Sequence, residues 1–477
     1  MSDSAAAPDL WTDVLDTAHR HADAWLRSVP DRPVAATASY EEMLEAFRVG
    51  LPDGPVDAAT VVEDLAGAAE PGLTAFQSGR FYGFVVGATL PASLGADWLV
   101  SAWDQNSGLV AVTPAVVAAE TVAGEWVVDL LGLPAGSSVG FVTGGCMANF
   151  TCLGVARSHV LAAAGWDVQA QGLQGAPRLH VVLSDERHAT VDSALRYLGI
   201  GDATARLVAT DDQGRVRLDD FAAALDEGAG RPTIVSLAAG NVNTGAFDAF
   251  GPAIELAHEH GAWVHVDGAF GLWAAAAPRL RHLVDGVAAA DSWATDAHKW
   301  LNVPYDCGIA ITRHPAAHRV AMGAHAAYLI ESGDGPPDPV ELVPEFSRRA
   351  RGVPVYAALR SLGRSGVAEL VDRCCRHATT FAARLQATDG VQVLNDVVLN
   401  QVLVRFDDDD ATTRRVVDRV LADRVAFMSP TVFKGRAGMR ISVSGWQTSD
   451  EDVERSVQAV RQALDAARAA VVGDSRA

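Results

Sequence analysis

Lysine is almost missing from this chain. Of 38 basic residues only two, Lys299 and Lys434, are lysines, and arginine carries ordinary positive charge everywhere else. Arginine does not readily give up its proton, so it cannot serve as an amine nucleophile; lysine can, when burial or neighbours lower its pKa. A lysine kept in so arginine-rich a chain is either a chance survivor on the surface or a residue doing what only an amine can do. Positive charge is scarce as a whole. The net charge is -21 and no basic cluster overrides it, which argues against sequence-independent nucleic-acid binding. No apolar run is long enough to span a bilayer. The N-terminal "MSDSAAAPDLWTD" lacks a basic region followed by an apolar one, so no signal peptide is expected. The five cysteines, Cys146, Cys152, Cys307, Cys374 and Cys375, match no zinc spacing, and the vicinal pair is a poor disulfide candidate. Reduced thiols in a cytoplasmic protein without a metal are expected.

What is present is a large apolar inventory. With 477 residues, 49% hydrophobic and 20% charged, the chain can bury a sizeable core in more than one lobe. To about Pro71 the pattern is helical; "YEEMLEAFRVG" is amphipathic and ends at a glycine. "ADWLVSAWDQNSG" and "PAVVAAETVAGEWVVDLLGLP" read as further helices, the second closed by Gly132 and Pro134. From Ser138 short apolar runs alternate with helical stretches: "VGFVT", "HVVLS", "RLVAT", "TIVSLAAG", "WVHVD", "DSWAT" and "GIAIT". That alternation predicts a largely parallel sheet covered by helices. "ESGDGPPDPVELVPE" reads as a loop. "VPVYAALRSLGRSGVAELVDRCCRHATTFAARLQA" reads as a long helix broken near Gly363 to Gly366. The remainder predicts a smaller α/β lobe with strands at "VQVLN", "NQVLVRF" and "MRISV", a helix near Thr412 to Asp423 and a last helix from Asp450.

In parallel sheets ligands bind beyond the carboxyl ends of the strands, so the residues just after each run matter most. After "VGFVT" come Gly144, Gly145 and Cys146, opening a helix. Small residues there let a backbone approach an anion, and free N–H groups favour a phosphate; alone, the pair is equally an ordinary turn. After "HVVLS" comes His188, and a lone histidine is as readily structural. "WVHVD" ends at Asp267, followed by Gly268 and Ala269. Near the end of the next strand lie Asp296, His298 and Lys299. Together these describe a phosphate cradle, a ring that can stack, a carboxylate and a lone amine. Pyridoxal 5'-phosphate (PLP) needs that set: donors for its phosphate, an acid for its ring nitrogen and a lysine for its aldehyde.

At these residues the chain resembles the group II PLP-dependent amino-acid decarboxylases. The pieces that carry the resemblance are "FVTGGCMANF", "SDERHATV", "NTGAFD", "WVHVDGAFG" and "ADSWATDAHKW…YDCG", in matching order and spacing, with "MRISVSGWQTSDEDV" looser. The resemblance implies the fold type I, aspartate-aminotransferase-like α/β architecture. Its parts would be a helical N-terminal segment (1–75), a large PLP-binding domain with a mostly parallel seven-stranded sheet (76–345) and a smaller C-terminal α/β domain (346–477). It implies Lys299 as the Schiff-base lysine, Asp267 on the pyridine nitrogen, His188 stacked on the ring and Ala269 on the opposite face. Gly144, Gly145, Cys146 and His298 would lie about the phosphate, with Asp296 near it. It further implies an amino-acid or amino-acid-conjugate substrate, decarboxylation through an external aldimine and quinonoid, and a homodimer.

Three departures bear on the outcome. Asn241 and Val242 stand in "GNVNTGAFD" where well-known members carry Thr-Thr. Val85, Val86 and Gly87 replace a more polar Pro-Thr segment. "ESGDGPPDPVELVPEF" contains no tyrosine, and Tyr328 before it resembles a different family tyrosine. Relatives without the loop tyrosine are aldehyde synthases, which add oxidative deamination with O2, and some tailoring relatives break a Cβ–S bond; either is the alternative to plain decarboxylation. A degenerate binding protein is the non-enzyme alternative, and intact Lys299, Asp267 and His188 argue against it. Arg440, in "GMRISV", sits in a context where fold type I aminotransferases clamp a carboxylate; the reading adopted is a structural arginine of the small lobe. Arg348, Arg349 and Arg351 read either as contacts to a substrate acid or neighbouring subunit, or as structural.

Overall fold

The computed structural model describes residues 7–323 and 337–474. The chain begins with three helices, Ala7–Ser28, Tyr40–Phe47 and Ala58–Ala69. Ser39 and Glu42 form a reciprocal capping box at the start of the second, satisfying two N–H groups that a helix start leaves free. That helix stops at Phe47, short of the expected glycine, Gly50. Two more helices, Pro91–Trp103 and Pro114–Leu130, each open on a proline, which suits the first helical position because its missing N–H would be unpaired there.

The large lobe holds the seven expected strands: β1 (Ser138–Val142), β2 (His180–Ser184), β3 (Arg206–Val208), β4 (Thr233–Ala238), β5 (Trp263–Asp267), β6 (Ser292–Asp296) and β7 (Gly308–Thr312). Their order is β1-β7-β6-β5-β4-β2-β3. β2, β6 and β7 are buried along their whole length, as expected of strands covered on both faces. Only β7 runs against the rest. The reason is local: residues 297–307 return from β6 to β7 without a crossover helix, and so short a return joins antiparallel neighbours. That return loop carries Lys299.

A helix at Gly352–Gln386 joins the lobes and is broken at Gly363, whose φ of 62° is left-handed. The small lobe is an antiparallel sheet of β8 (Val391–Val393), β9 (Gln401–Phe406), β10 (Ser429–Phe433) and β11 (Arg436–Ser442), ordered β10-β11-β9-β8. The Asp410–Asp423 helix and the Gly352–Gln386 helix pack on it, and the Asp450–Asp474 helix packs on both of those helices. β10 is not anticipated by the sequence reading, because Pro430 interrupts the pattern; the strand tolerates it at the sheet edge. The lobes are stitched by the segment around Tyr82, whose N–H donates to Phe427 and whose carbonyl accepts from Ser442. No helix among the described residues is long and apolar enough to cross a membrane.

Candidate active site

A cavity of about 430 Å³ opens at the carboxyl ends of the parallel strands. Gly144, Gly145, Cys146, His188 and Asp267 line it, as do Ala269, Asp296, His298 and Lys299. All nine residues singled out by the sequence therefore meet in one place. A larger hollow of about 670 Å³ beside the 114–130 helix surrounds Glu120 and Arg348, which are paired to each other.

The 145–163 helix starts directly after β1 with no side-chain cap, so its first N–H groups are free to meet an anion. The approach is tight. A Cβ on Gly144 would sit 3.2 Å from the His298 ring, one on Gly145 would sit 2.8 Å from Asp296, and one on Gly308 would overlap the Gly144 backbone at 2.4 Å. His298 accepts the Cys307 N–H at Nδ1 (3.1 Å), which leaves Nε2 as the donor on a neutral ring. Burial lowers its pKa, and Tyr305 stacks against it with centroids 4.5 Å apart.

His188 caps the helix Ala189–Tyr197, its Nδ1 accepting from the Thr190 N–H at 3.3 Å. The ring faces the cavity and is solvent-exposed there, yet the surrounding walls desolvate it and lower its pKa, with Asp267 opposing that shift. Asp267 ends β5. Asn149 donates to its Oδ2 (3.1 Å) and the Ala269 N–H to its Oδ1 (3.2 Å). Asn149 in turn accepts from His265 Nε2 (2.9 Å), whose Nδ1 lies 3.0 Å from Ser292 Oγ. His265 is fully buried and its pKa falls to about 4 from desolvation. Asn149, Thr190 and His265 are thus supporting residues that the sequence reading missed. One signal was available for His265: strand alternation puts residues two apart on the same face, so "WVHVD" sets His265 behind Asp267.

Lys299 Nζ lies 2.8 Å from Asp296 Oδ2. The other carboxylate oxygen, Oδ1, is buried without a hydrogen-bond partner. Behind the lysine, a Cβ on Gly87 would lie 1.8 Å from the Lys299 carbonyl oxygen, so the Val85–Val86–Gly87 segment packs on the lysine's own backbone. Phe84 and Val85, both lining the cavity, hold left-handed φ angles of 54° and 60°. Such conformations cost on the order of 1–3 kcal/mol each and cluster at functional sites. Asn241 and Val242 also line the cavity. The Asn241 side chain accepts from the N–H groups of Asn243 and Thr244, which closes the turn.

Arg440 corrects the structural reading given to it. It stands on β11 of the small lobe, but its side chain reaches the cavity. It is only 9% exposed and its Nε is buried without a partner; burial pulls its pKa down to about 10. Arg348, Arg349 and Arg351 do not join it, being paired with Glu120, Asp97 and Asp306. Tyr328 and residues 331–336 of the tyrosine-free loop lie outside the described residues.

The model of the pyridoxal-dependent decarboxylase conserved domain matches residues 41–407. The chain is 26% identical over 471 residues to tryptophan decarboxylase 1 of Oryza sativa subsp. japonica, covering 92% of this chain and 90% of that protein. It is 23% identical over 454 residues to the phenylacetaldehyde synthase of a Rosa hybrid cultivar, covering 90% and 89%. The crystal structure of Oryza sativa TDC with PLP and tryptamine superposes with a TM-score of 0.89 at 23% identity, covering 98% of this chain and 99% of that one. The chain belongs to the pyridoxal-dependent decarboxylases, and is a fold type I carboxy-lyase that works with PLP.

Proposed function

We propose that this enzyme removes the α-carboxylate of an amino acid that presents an anionic group to Arg440, and releases the corresponding amine. The observation that carries this reading is the convergence of Lys299, Asp267, His188 and an uncapped helix start on one cavity. The donor set fits PLP. Lys299 supplies the amine for its aldehyde. The free N–H groups of Gly145 and Cys146, with His298 Nε2, suit its phosphate. Asp267, held by Asn149 and Ala269, suits its ring nitrogen. When bound, PLP supplies an aldehyde that links to amines and a ring that accepts the electrons of a broken Cα bond.

The remaining work falls to side chains. Asp267 keeps a proton on the group it faces, because a carboxylate favours a neighbouring positive charge. His188 and Ala269, both lining the cavity, offer opposed walls for a flat ring. Arg440 is a buried cation with no paired acid among the described residues, and so takes an anion, either the α-carboxylate before it leaves or a side-chain acid. Purified enzyme should absorb near roughly 420 nm, as a lysine–aldehyde linkage requires, and should release carbon dioxide and amine in equal amounts. No such band after PLP addition would sink the reading. A panel of acidic and neutral amino acids, tested against Arg440→Met, distinguishes the two anions: only a side-chain acid makes the loss selective for acidic substrates.

A second reading is oxidative, giving aldehyde, ammonia and peroxide with O2. The similarity to a phenylacetaldehyde synthase favours it, and oxygen uptake during turnover decides it. A homodimer fits either route. The exposed large apolar side chains concentrate between residues 11 and 112, with Trp11, Trp98 and Trp103 among them; light scattering tests it.

A further inference from the structure

We propose that Asp296 is a positioning residue: it holds the Lys299 ammonium once substrate has displaced that lysine, and so aims it as the proton donor to the carbon that has lost carbon dioxide. This rests on the assignment of Lys299 as the amine that carries the cofactor.

Asp296 is built to hold a cation at one place. Its N–H donates to the Ala269 carbonyl (2.9 Å) and its own carbonyl accepts from Trp273 Nε1 (3.2 Å), so its backbone is fixed. Its side chain is 2% exposed, and Oδ2 lies 2.8 Å from Lys299 Nζ. Space for that carboxylate exists because Gly145 has no side chain; a Cβ there would lie 2.8 Å from Oδ2. The other oxygen has no hydrogen bond, and the nearest imidazole nitrogen, His298 Nε2, is 3.7 Å away. Lys299 is therefore the only full cation within ion-pair distance among the described residues. A buried carboxylate stripped of its cation is costly, so a released Lys299 is drawn back as the ammonium rather than left as a free amine.

The other groups around the cavity are poorer donors. Arg440, on the reading above, is engaged by a substrate anion. Burial keeps His188 neutral by lowering its pKa and raises that of the Cys146 thiol. In the step itself, an N–H bond of the Lys299 ammonium breaks and its electron pair stays on nitrogen. A C–H bond forms with the electron pair that carbon dioxide left behind. Lys299 ends neutral, the state it needs to displace the product amine, and Asp296 remains a carboxylate throughout.

The test compares wild type with Asp296→Asn, and with Asp296→Glu as the conservative variant. Wild type lacking the band near roughly 420 nm would overturn the Lys299 assignment itself; with the band present, the behaviour of the variants bears on Asp296 alone. In single turnovers of loaded D296N, carbon dioxide release should stay within about threefold of wild type while amine formation slows by about tenfold or more, the range expected of a misplaced proton donor. D296E should recover part of the loss. Amine appearing in step with carbon dioxide in both variants overturns the proposal. A second readout needs no turnover. In apoprotein, an amine-reactive reagent should tag Lys299 several-fold faster in D296N than in wild type, as mapped by peptide mass spectrometry. Equal tagging rates remove the pairing on which the proposal stands.

Discussion

Two buried ion pairs in this molecule are built to opposite plans. Glu120 and Arg348 meet beside β1 with both partners almost wholly buried. Both terminal nitrogens of Arg348 bond to Glu120; they also reach the carbonyls of Ser107 and Phe141, while Ser107 Oγ and the Gly352 N–H complete the carboxylate. Asp296 and Lys299 share one contact, and one carboxylate oxygen is left without a partner at the wall of a cavity. In the first pair both carboxylate oxygens and both terminal nitrogens are bonded, only Arg348 Nε being left without a partner, and the pair holds its surroundings in register. The second keeps capacity in reserve, and that is the mark of a site rather than a strut.

The contrast can be broken by deleting the cation from each pair. Lys299→Ala should bring turnover below detection and erase the absorbance band. It should also cost stability, about 1–3 kcal/mol, because Asp296 is left buried without its cation and water admitted by the cavity offsets only part of that; activity assays with a urea titration check both halves. Arg348→Met should weigh on stability alone. It strands a buried Glu120 and should cost about 3–5 kcal/mol in the same titration, with normal turnover per loaded site.

A buried titrating group tests the comparison more finely. His318 is fully buried against Ser138 Oγ (2.8 Å), and burial drops its pKa to about 4. The unfolded chain therefore binds a proton there between about pH 6.5 and 4 that the folded chain refuses, so stability falls as pH falls through that window. Going from pH 7 to 5, the loss from this residue should be on the order of 2 kcal/mol, and His318→Asn should flatten that slope in denaturant midpoints. The smallest effect belongs to Lys434, at the turn between β10 and β11. Its ammonium lies 3.7 Å from Glu186 and 3.9 Å from Asp185, one-third exposed. As a surface contact it should contribute at most about 1 kcal/mol, so Lys434→Met should shift the urea midpoint only slightly.

The strand-end residues could be read from sequence because each short apolar run stops abruptly at a polar or small residue. "HVVLS" before Asp185 to His188, "WVHV" before Asp267 and "SWAT" before Asp296 all do this. A run buried on both faces is itself a pointer, since its carboxyl end is where a parallel sheet opens. What stayed hidden depends on tertiary contact. Arg440 belongs to a lobe whose apolar pattern says only "strand"; its "GMRISV" context resembles a carboxylate clamp, but that its side chain crosses to the large lobe's cavity depends on how the lobes pack. Asn149 sits inside a helix and looks like filler until His265 and Asp267 arrive on either side of it. The left-handed backbone at Phe84 and Val85 is unmarked, because neither residue is a glycine or an asparagine.

Gly87 has a consequence for altering the enzyme. With no room for even a methyl group between it and the carbonyl of Lys299, the stretch around Gly87 forms the backing plate of the reactive lysine. Libraries aimed at new substrates can vary the neighbouring wall at Phe84, whose side chain is largely free, but position 87 tolerates no diversity. Grafting this pocket onto another scaffold would have to bring the stretch before β1 along with the strands.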